Sequence, residues 1–184
     1  MPESPIPLAY QDAVTDHPAI EQWCSTVLAG HSARLLLLGP HWSGKSHAAY
    51  AALSRLIAAG YASESITVHQ AHDLSRTYQP DMVEYATPVT VVDDLTLSVD
   101  LAREPGGPRQ ADTVEVQAMM ALEAGALAEA VDRLTARPNR SWILIASCAE
   151  HLVETVGHET AHRILAVAEQ AELPPRARPT LPSW

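Results

Sequence analysis

The sequence predicts an α/β fold in which a parallel sheet carries helices on both faces. Three observations predict it: short apolar or β-branched runs alternate with segments of helical period, the first run ends in a glycine-containing loop, and a later run ends in two carboxylates. Strands that alternate with helices are joined by right-handed crossovers. Their carboxyl ends meet at one edge of the sheet, where ligands bind in such folds.

The first elements follow from prolines and apolar spacing. Met1–Thr15 has three prolines and no helical period, which indicates an extended arm. Pro18 stands where a first helical turn accepts proline. The apolar side chains that follow lie at i, i+3, i+4 and i+7 and predict a helix that ends near Gly30: Ile20, Trp23, Cys24 and Val27. The leucines of Leu35–Leu38 then read as the first strand.

The remaining elements alternate along the chain. Further strands are predicted over Ser65–Gln70, Val89–Asp94 and Ser141–Ser147. Helices are predicted over 44–59, 73–78, 113–136, 150–156 and 159–169, the third of them divided in two at Gly125 or continuous. Ala102–Ala111, rich in Pro and Gly, reads as a loop, and the chain from Pro174 onward reads as an extended tail.

Length and composition exclude several classes of protein. The 184 residues, 47% apolar and 18% charged, predict one globular domain with a sizeable core. A net charge of −10 argues against strong unaided binding to nucleic acid. Cys24 and Cys148 lack metal-ligand spacing and predict free thiols in a reducing compartment. With no signal peptide and no apolar run near 18 residues, we expect a cytoplasmic protein without a membrane partner.

The loop after the first strand carries the most specific motif. It matches the phosphate-binding pattern G-x-x-x-x-G-K-[ST] at every fixed position, with the residues Gly39, Pro40, His41, Trp42, Ser43, Gly44, Lys45 and Ser46. Backbone N–H groups of such a loop surround a polyphosphate, and the positive end of the following helix dipole favours the same anion. Lys45 brings a positive charge to the β and γ phosphates, and the Ser46 hydroxyl can bind Mg²⁺. The motif predicts binding of a nucleoside triphosphate with Mg²⁺.

Two carboxylates end the third strand. An acidic residue at this place in P-loop enzymes holds Mg²⁺, and Asp93 is predicted to do so. Asp94 is predicted to polarise the attacking water as a base. The alternative is that the pair is a solvated turn, which the buried-type strand before it disfavours.

The fourth strand ends in a hydroxyl. Ser147 is placed to hydrogen-bond the attacking water or the γ-phosphate. Alternatively it is the N-cap of the next helix. The sequence alone leaves the two roles open.

Five segments occur together in a familiar order. They are Gly-Pro-x-x-Ser-Gly-Lys-Ser-His, Ala-Ala-Gly-Tyr at the helix end, Val-Val-Asp-Asp-Leu, Ile-Ala-Ser-Cys, and Gly157 followed six residues later by Arg163-Ile-Leu. With them the chain resembles the AAA+ ATPases of the DnaC/IstB type, which are helicase loaders and transposition helper proteins. The resemblance spans about Ala33 to Leu173.

The resemblance implies a five-stranded AAA+ core that binds ATP and Mg²⁺ and assembles with copies of itself. The family's sensor-1 residue, commonly Asn, would correspond to Cys148, or the neighbouring Ser147 would perform its role. Its arginine finger, which acts on the ATP of the adjacent subunit, would match Arg163. Its sensor-2 arginine would match Arg176 or Arg178. This sequence departs from the family in lacking the sensor Asn, in having Thr96 where Gly often follows Asp-Asp-Leu, and in the Pro/Gly-rich loop near Pro105.

Two features of the later helices have ordinary explanations. Arg163 equally fits a surface arginine in a salt bridge, the usual state of that residue. His158-Glu159-Thr160-Ala161-His162 matches the zinc-protease pattern H-E-x-x-H. Few candidate third ligands follow it, only Glu169 and Glu172, so we interpret it as a polar helix start.

The predicted protein is a DnaC/IstB-like ATPase that helps DNA replication or transposition, by loading a helicase or remodelling a DNA-bound partner. Expected partners are further copies of itself, a replicative helicase or transposase, and single-stranded DNA. Its organisation would be an arm and helix over residues 1–32, the ATPase domain over 33–173 and a Pro/Arg tail over 174–184.

The alternatives are an ATP-binding regulatory or scaffold protein with little hydrolysis and, less favoured, a small P-loop kinase. The kinase would need an arginine-rich lid, but between Tyr61 and Pro88 Arg76 is the only arginine.

Overall fold

A computed structural model describes residues 5–77, 87–95 and 114–175. Its five strands form one parallel sheet: β1 (Arg34–Leu38), β2 (Ile66–Gln70), β3 (Val89–Asp93), β4 (Ser141–Ala146) and β5 (Glu169–Glu172). Its α-helices are α1 (Pro18–Leu28), α2 (Lys45–Ala58), α3 (Ala71–Thr77), α4 (Val114–Thr135), α5 (Ala149–Val156) and α6 (His158–Val167). The predicted α/β class with a five-stranded parallel sheet is confirmed. None of the described helices is long and apolar enough to span a bilayer.

The strand order is β2-β3-β4-β1-β5. The fourth strand therefore lies between the first and the third, with Leu36 of β1 opposite Leu144 and Val91 of β3 opposite Ile143. Because all strands are parallel, the residues that follow β1, β3 and β4 emerge side by side at one edge. That edge brings together three of the segments that the sequence predicts to be functional.

The leucines of β1 explain why this strand is central. Leu35 and Leu37 belong to a cluster formed with α1 and α2 on one face of the sheet, whereas Leu36 and Leu38 belong to a second cluster with α3 to α6 on the other face. All four side chains are at most 5% exposed. A strand covered on both faces needs a continuous apolar run, which is what the sequence provides.

The fifth strand is the element that the sequence pattern did not locate. The predicted last helix ran to Glu169, but α6 ends at Val167, and Glu169–Glu172 pairs with β1. Only Ala171 in this strand is buried, since β5 lies at the edge of the sheet. The segment Glu-Gln-Ala-Glu lacks both apolar alternation and β-branched residues, so its backbone pairing with β1 overrides its local preference.

The described part of the N-terminal arm packs against the domain. Ile6 and Ala13 are buried, Leu8–Tyr10 forms one 3₁₀ turn, and the Tyr10 ring stacks on Tyr50 of α2 with 4.4 Å between centroids. Three predictions fall outside the described residues: the loop over 102–111, the end of the short helix at Tyr78, and the tail from residue 176 onward.

Helix α4 is continuous through Gly125, so the chain does not break there. Gly125 is exposed, and a Cβ built on it meets nothing within 4 Å.

We therefore expect Gly125→Ala to raise the free energy of unfolding by about 0.5–1 kcal/mol, because alanine loses less backbone entropy in a helix. Chemical denaturation measures this change. The reverse substitution at an exposed site of the same helix, Ala121→Gly, should lower the free energy of unfolding by a similar amount. If both substitutions changed the free energy of unfolding in the same direction, the explanation would be contradicted.

Candidate nucleotide site

The phosphate-loop motif connects β1 to α2. The loop begins after Leu38, and α2 begins at Lys45 with Gly44 as its N-cap in the left-handed conformation at φ +91°. Gly44 makes no side-chain capping bond, which is inherent to glycine, so the first N–H groups of α2 face the loop without a side-chain acceptor there. A helix N-terminus of this kind favours an anion. The predicted strand–loop–helix context of the motif is present.

Lys45 is held by the loop itself. Its ammonium donates hydrogen bonds to the carbonyl oxygens of Gly39 at 2.6 Å and Pro40 at 2.8 Å, and lies 3.4 Å from Ser43 Oγ. Burial lowers the pKa of Lys45, while Asp94 and Asp93 act in the opposite direction. Both carboxylates are therefore close enough to favour the charged ammonium. A polyphosphate in the loop would replace the carbonyl oxygens as its acceptor.

Ser46 and Asp93 meet across the sheet edge. The Ser46 hydroxyl donates to Asp93 Oδ1 at 2.9 Å, which joins the first turn of α2 to the end of β3. Asp93 is 6% exposed, and burial raises the pKa of its carboxyl, against the hydrogen bonds from Ser46 and Gln70. A hydroxyl and a carboxylate side by side are the hard oxygen donors that Mg²⁺ prefers. The two residues thus fit the metal, and triphosphate oxygens and water would complete its shell.

Gln70, the last residue of β2, is a member of this site that sequence analysis did not identify. Burial raises the pKa of both Asp93 and Tyr50, and hydrogen bonding by the Gln70 side chain acts on each in the opposite direction. The signal available in the sequence was a polar residue at the end of a β-branched strand next to the one that carries Asp93.

The burial of Asp93 has a stability cost that can be measured. Because the folded-state pKa of Asp93 is raised above 3.8, folding favours its protonated carboxyl. This contribution to the free energy of unfolding is fully present below about pH 4 and is lost as pH rises through the folded-state pKa. We expect Asp93→Asn to stabilise the metal-free, nucleotide-free protein at pH 7 by about 1 kcal/mol, with a smaller gain near pH 4. Urea denaturation at the two pH values measures it. Asp94→Asn, at the exposed neighbouring position, is the control with an expected change within about 0.5 kcal/mol, and a less stable Asp93→Asn protein at pH 7 would contradict the prediction.

Asp94 departs from regular strand geometry. It is exposed and has φ +59°, and pairing with β4 resumes at once, since Leu95 N–H donates to the Ile145 carbonyl at 2.8 Å. Left-handed backbone is more accessible to Asp than to most residues. Asp94 therefore stands at a kink at the edge of the site, near Lys45. Its role as a base stays a prediction.

Ser147 contacts the phosphate loop through its backbone. Its carbonyl oxygen accepts a hydrogen bond from Gly39 N–H at 3.1 Å, and its hydroxyl is hydrogen-bonded to Nδ1 of His151. The N-cap of α5 is Cys148, whose sulfur accepts from His151 N–H at 3.5 Å. The alternative that made Ser147 the N-cap is therefore wrong. His151, which sequence analysis did not identify, lies one helical turn after Ser147.

Arg163 is engaged within its own chain. One terminal nitrogen donates to Asp132 Oδ1 at 2.7 Å, to the Asp132 carbonyl at 3.1 Å and to Thr135 Oγ1 at 3.1 Å. Thr160 also donates to Asp132 Oδ1, at 2.7 Å, and these hydrogen bonds lower the pKa of the Asp132 carboxyl. The group ties α6 to the end of α4. This is the salt-bridged state that the sequence allowed, and the role of Arg163 toward a neighbouring subunit stays a prediction.

A cavity of about 500 Å³ adjoins the loop. It is bordered by the carboxyl ends of β1, β4 and β5, with Gly39, Ser147, Glu150 and Leu173 among its lining residues. This space is open to a ligand whose phosphates lie in the loop. Arg176 and Arg178, the candidates for sensor 2, lie outside the described residues.

The H-E-x-x-H segment lies at the start of α6. His158 and His162 are both exposed, and the described residues contain no group of three His, Cys, Asp or Glu side chains that could hold a metal ion. We retain the interpretation of this segment as a polar helix start.

Trp42 is the unusual residue of the loop. It is 64% exposed and has φ +66°, a left-handed conformation that costs a residue with a Cβ about 1–2 kcal/mol. We expect Trp42→Gly to be about 1 kcal/mol more stable than Trp42→Ala, because both lose the edge contact with the His41 ring but only glycine relieves the strain. Parallel denaturation curves of the two variants measure the difference. Equal stabilities would show that the loop relaxes out of this conformation when the indole is removed.

The chain is similar to known proteins in its fold. Neither a protein-family model nor a curated protein sequence matches the chain. Among solved structures, the DnaC helicase loader matches with a TM-score of 0.60 and 15% identity over 91% of this chain and 99% of that one. DnaI matches with a TM-score of 0.54 and 16% identity over 91% of each chain. AMPPCP-bound DnaA from Aquifex aeolicus matches with a TM-score of 0.53 and 12% identity over 91% of this chain and 51% of that one.

The sheet order, the phosphate loop on β1 and these matches define the class: the chain has the AAA+ P-loop NTPase fold. Within that class, its similarity in fold to the DnaC helicase loader and to DnaI covers nearly all of both chains. The resemblance to the DnaC type is therefore confirmed at the level of fold.

Proposed function

We propose that this protein is an AAA+ ATPase that binds Mg·ATP between β1 and β3. The observation that carries the proposal is the contact between Ser46 and Asp93, because it joins the phosphate loop to a buried strand-end carboxylate. Mg²⁺, when bound by these two residues, would supply charge compensation for the triphosphate. The backbone of residues 39–44 would bind the phosphates, and Lys45 would leave the Gly39 and Pro40 carbonyls to donate to them.

Hydrolysis would use two residues next to this contact. Asp94, at the kink after β3, would accept a proton from the attacking water, and Ser147, beside Gly39, would orient that water or the γ-phosphate. Arg163 would complete the site of an adjacent subunit, for which it must first leave Asp132. The ATP-bound protein would thus form a homo-oligomer.

The biological role that we propose is that of a cytoplasmic helper in DNA replication or transposition. It would load a replicative helicase, or remodel a transposase or another DNA-bound partner, and would contact single-stranded DNA. The fold shared with the DnaC helicase loader and with DnaI supports this role.

Two measurements on the wild-type protein test the proposal. Steady-state ATP turnover is followed with and without single-stranded DNA, and light scattering after size exclusion is recorded with and without a non-hydrolysable ATP analogue. We expect turnover stimulated by DNA and a larger mass with the analogue. Turnover that matches the Lys45→Ala background, with or without DNA, would refute the ATPase proposal.

Subunit mixing tests the role of Arg163. Arg163→Ala and Asp94→Asn subunits, each inactive alone, should recover part of the activity when combined, because some interfaces then contain both intact residues. Arg133→Ala provides a control, since Arg133 pairs with Glu129 on the surface of α4 and should not be needed for turnover. An inactive mixture would assign Arg163 to the α4–α6 contact alone.

A second candidate is an ATP-dependent regulatory or scaffold protein that hardly hydrolyses its nucleotide. The observation that favours it lies at the end of β4, where the family's sensor asparagine is absent, Cys148 caps α5 and the Ser147 hydroxyl is engaged by His151. Such a protein would assemble with ATP but show DNA-independent turnover at the level of the Lys45→Ala variant. The same two measurements therefore separate it from the ATPase.

A further inference from the structure

The Ser147 hydroxyl and the His151 imidazole form a pair at the end of β4. Ser147 Oγ is hydrogen-bonded to His151 Nδ1 across the start of α5. Strand β4 lies between β1, which leads into the phosphate loop, and β3, which ends in Asp93. The residue after β4 therefore emerges between the two parts of the candidate nucleotide site. Ser147 also lines the cavity that adjoins the loop.

Both members of this pair are held through their backbones. The Ser147 carbonyl accepts a hydrogen bond from Gly39 N–H at 3.1 Å. The His151 N–H donates to the Cys148 sulfur at 3.5 Å, and the His151 carbonyl accepts from the Thr155 hydroxyl at 2.7 Å. These bonds fix the places from which the imidazole and the hydroxyl extend. The direction of the hydroxyl hydrogen remains to be set, because a serine hydroxyl rotates to suit its partners.

Cys148, the neighbouring residue, is engaged in the first turn of α5. Its sulfur accepts from His151 N–H as the N-cap of the helix. Hydrogen bonds from its own backbone N–H and from the Cys148 side chain hold the pKa of Glu150 below its ordinary value. The Cys148 thiol thus acts as acceptor and as donor within α5. Of the two residues, Ser147 is the one better able to bind a ligand.

The contact with His151 leaves the Ser147 hydroxyl a further bond of a defined kind. A hydroxyl has one hydrogen to donate and two lone pairs, and imidazole Nδ1 is a donor or an acceptor according to its tautomer. If Nδ1 carries the hydrogen, it donates to Oγ, and the hydroxyl hydrogen is left for another acceptor. If Nδ1 is bare, it accepts the hydroxyl hydrogen, and Oγ can then only accept. Deprotonated phosphate oxygens are acceptors, so a phosphate partner requires the first arrangement.

We propose that His151 is a positioning residue whose Nδ1–H donates to Ser147 Oγ and so directs the hydroxyl hydrogen to the γ-phosphate of a bound nucleoside triphosphate. The pair then distinguishes ATP from ADP, because ADP lacks that phosphate. His151 acts through Ser147, since among the described residues that line the cavity are Ser147 and Cys148 but not His151. The inference rests on the proposed nucleotide site and adds to it a histidine that does not touch the nucleotide.

Nuclear magnetic resonance measures the tautomer in the unaltered protein. The ring nitrogens of isotope-labelled histidine have different chemical shifts in the two neutral tautomers and in the imidazolium. The signals that disappear in His151→Asn assign His151 among the nine histidines. With Mg²⁺ and a non-hydrolysable ATP analogue bound at about pH 8, we expect the hydrogen on Nδ1. A tautomer with the hydrogen on Nε2 in this complex would overturn the proposal.

Isothermal titration of matched variants measures the effect on binding. His151→Asn keeps an amide N–H close to the place of Nδ1, whereas His151→Leu has a similar shape and no donor. We expect His151→Leu to lower the ratio of the affinities for the ATP analogue and for ADP about fivefold, and His151→Asn to lower it less than twofold. His162→Leu, at an exposed position of α6, is the control and should leave the ratio unchanged.

A double-mutant cycle tests whether His151 acts through Ser147. In the Ser147→Ala protein, His151→Leu should cause no further loss, because the hydroxyl that it directs is already absent. A further loss there, or an unchanged ratio in His151→Leu, would refute the role of His151 while ATP binding stands. If the wild type bound no ATP analogue, the nucleotide site and this role would both be refuted. Turnover is not measured, so the test applies equally to a protein that binds ATP and hardly hydrolyses it.

Discussion

Replacing Lys45 by alanine should lower the affinity for ATP by about 100-fold or more, which corresponds to about 3 kcal/mol. The ammonium is held within the loop by the Gly39 and Pro40 carbonyls, and the phosphate oxygens of ATP would replace these carbonyls as its acceptors. Hydrogen bonds between an ammonium and phosphate oxygens are of the strong, charge-assisted kind. Isothermal titration with ATP and Mg²⁺ measures the loss.

The matched control for Lys45 is Arg55→Ala. Arg55 is also a cation of α2, but it pairs with Glu21 on the surface at 3.0 Å, and its loss should change ATP affinity less than twofold. Circular dichroism verifies that both variants are folded. If Lys45→Ala bound ATP as tightly as the wild type, residues 39–46 would not be the triphosphate site.

Replacing Gly39 by alanine should destabilise the protein by about 3–4 kcal/mol, a drop in Tm of roughly 10 °C. A Cβ built on Gly39 lies 2.4 Å from the Leu173 carbonyl oxygen and 2.8 Å from Ser43 Oγ, and φ is +150°. The Leu173 backbone cannot easily yield, because its N–H donates to the Leu38 carbonyl at 2.8 Å. The added methyl group would therefore separate the end of β1 from the residue after β5.

Gly60→Ala distinguishes this steric clash from backbone strain. Gly60 has φ +92°, but its Cβ would meet nothing within 4 Å, so alanine there should cost only about 1–2 kcal/mol. Thermal and urea denaturation of the two variants give the comparison. Equal losses would mean that the close approach to Leu173 does not determine the cost at Gly39.

Much of the fold could be predicted because its signals are local. The four leucines of β1, the β-branched residues of β3 and the apolar run of β4 each form a buried strand, and the structure places them within a residue or two of the prediction. β5 could not be found in this way. Its four residues contain one buried side chain, Ala171, and are held by hydrogen bonds to β1, which lies more than 130 residues earlier in the chain.

In the candidate site, too, some residues could be predicted from local sequence and others could not. The eight loop residues are contiguous, so one motif identifies them, and the two carboxylates at the end of β3 are recognisable from the apolar residues before them. The contributions of Gln70 and His151 depend on which strands are neighbours and on where α5 begins. For Arg163 the sequence allowed both a salt bridge and an intersubunit role, and the pairing with Asp132 is a contact between two helices that no local pattern records.

The sequence by itself determined the α/β class and the phosphate-loop motif, and it predicted the residues for Mg·ATP, because each depends on side chains adjacent in the chain. The tertiary structure decided the order β2-β3-β4-β1-β5, and with it the contact between Ser46 and Asp93 and the approach of Ser147 to Gly39. Strand order and loop contacts are set by backbone pairing and packing between distant segments, which the spacing of residues along the chain does not encode.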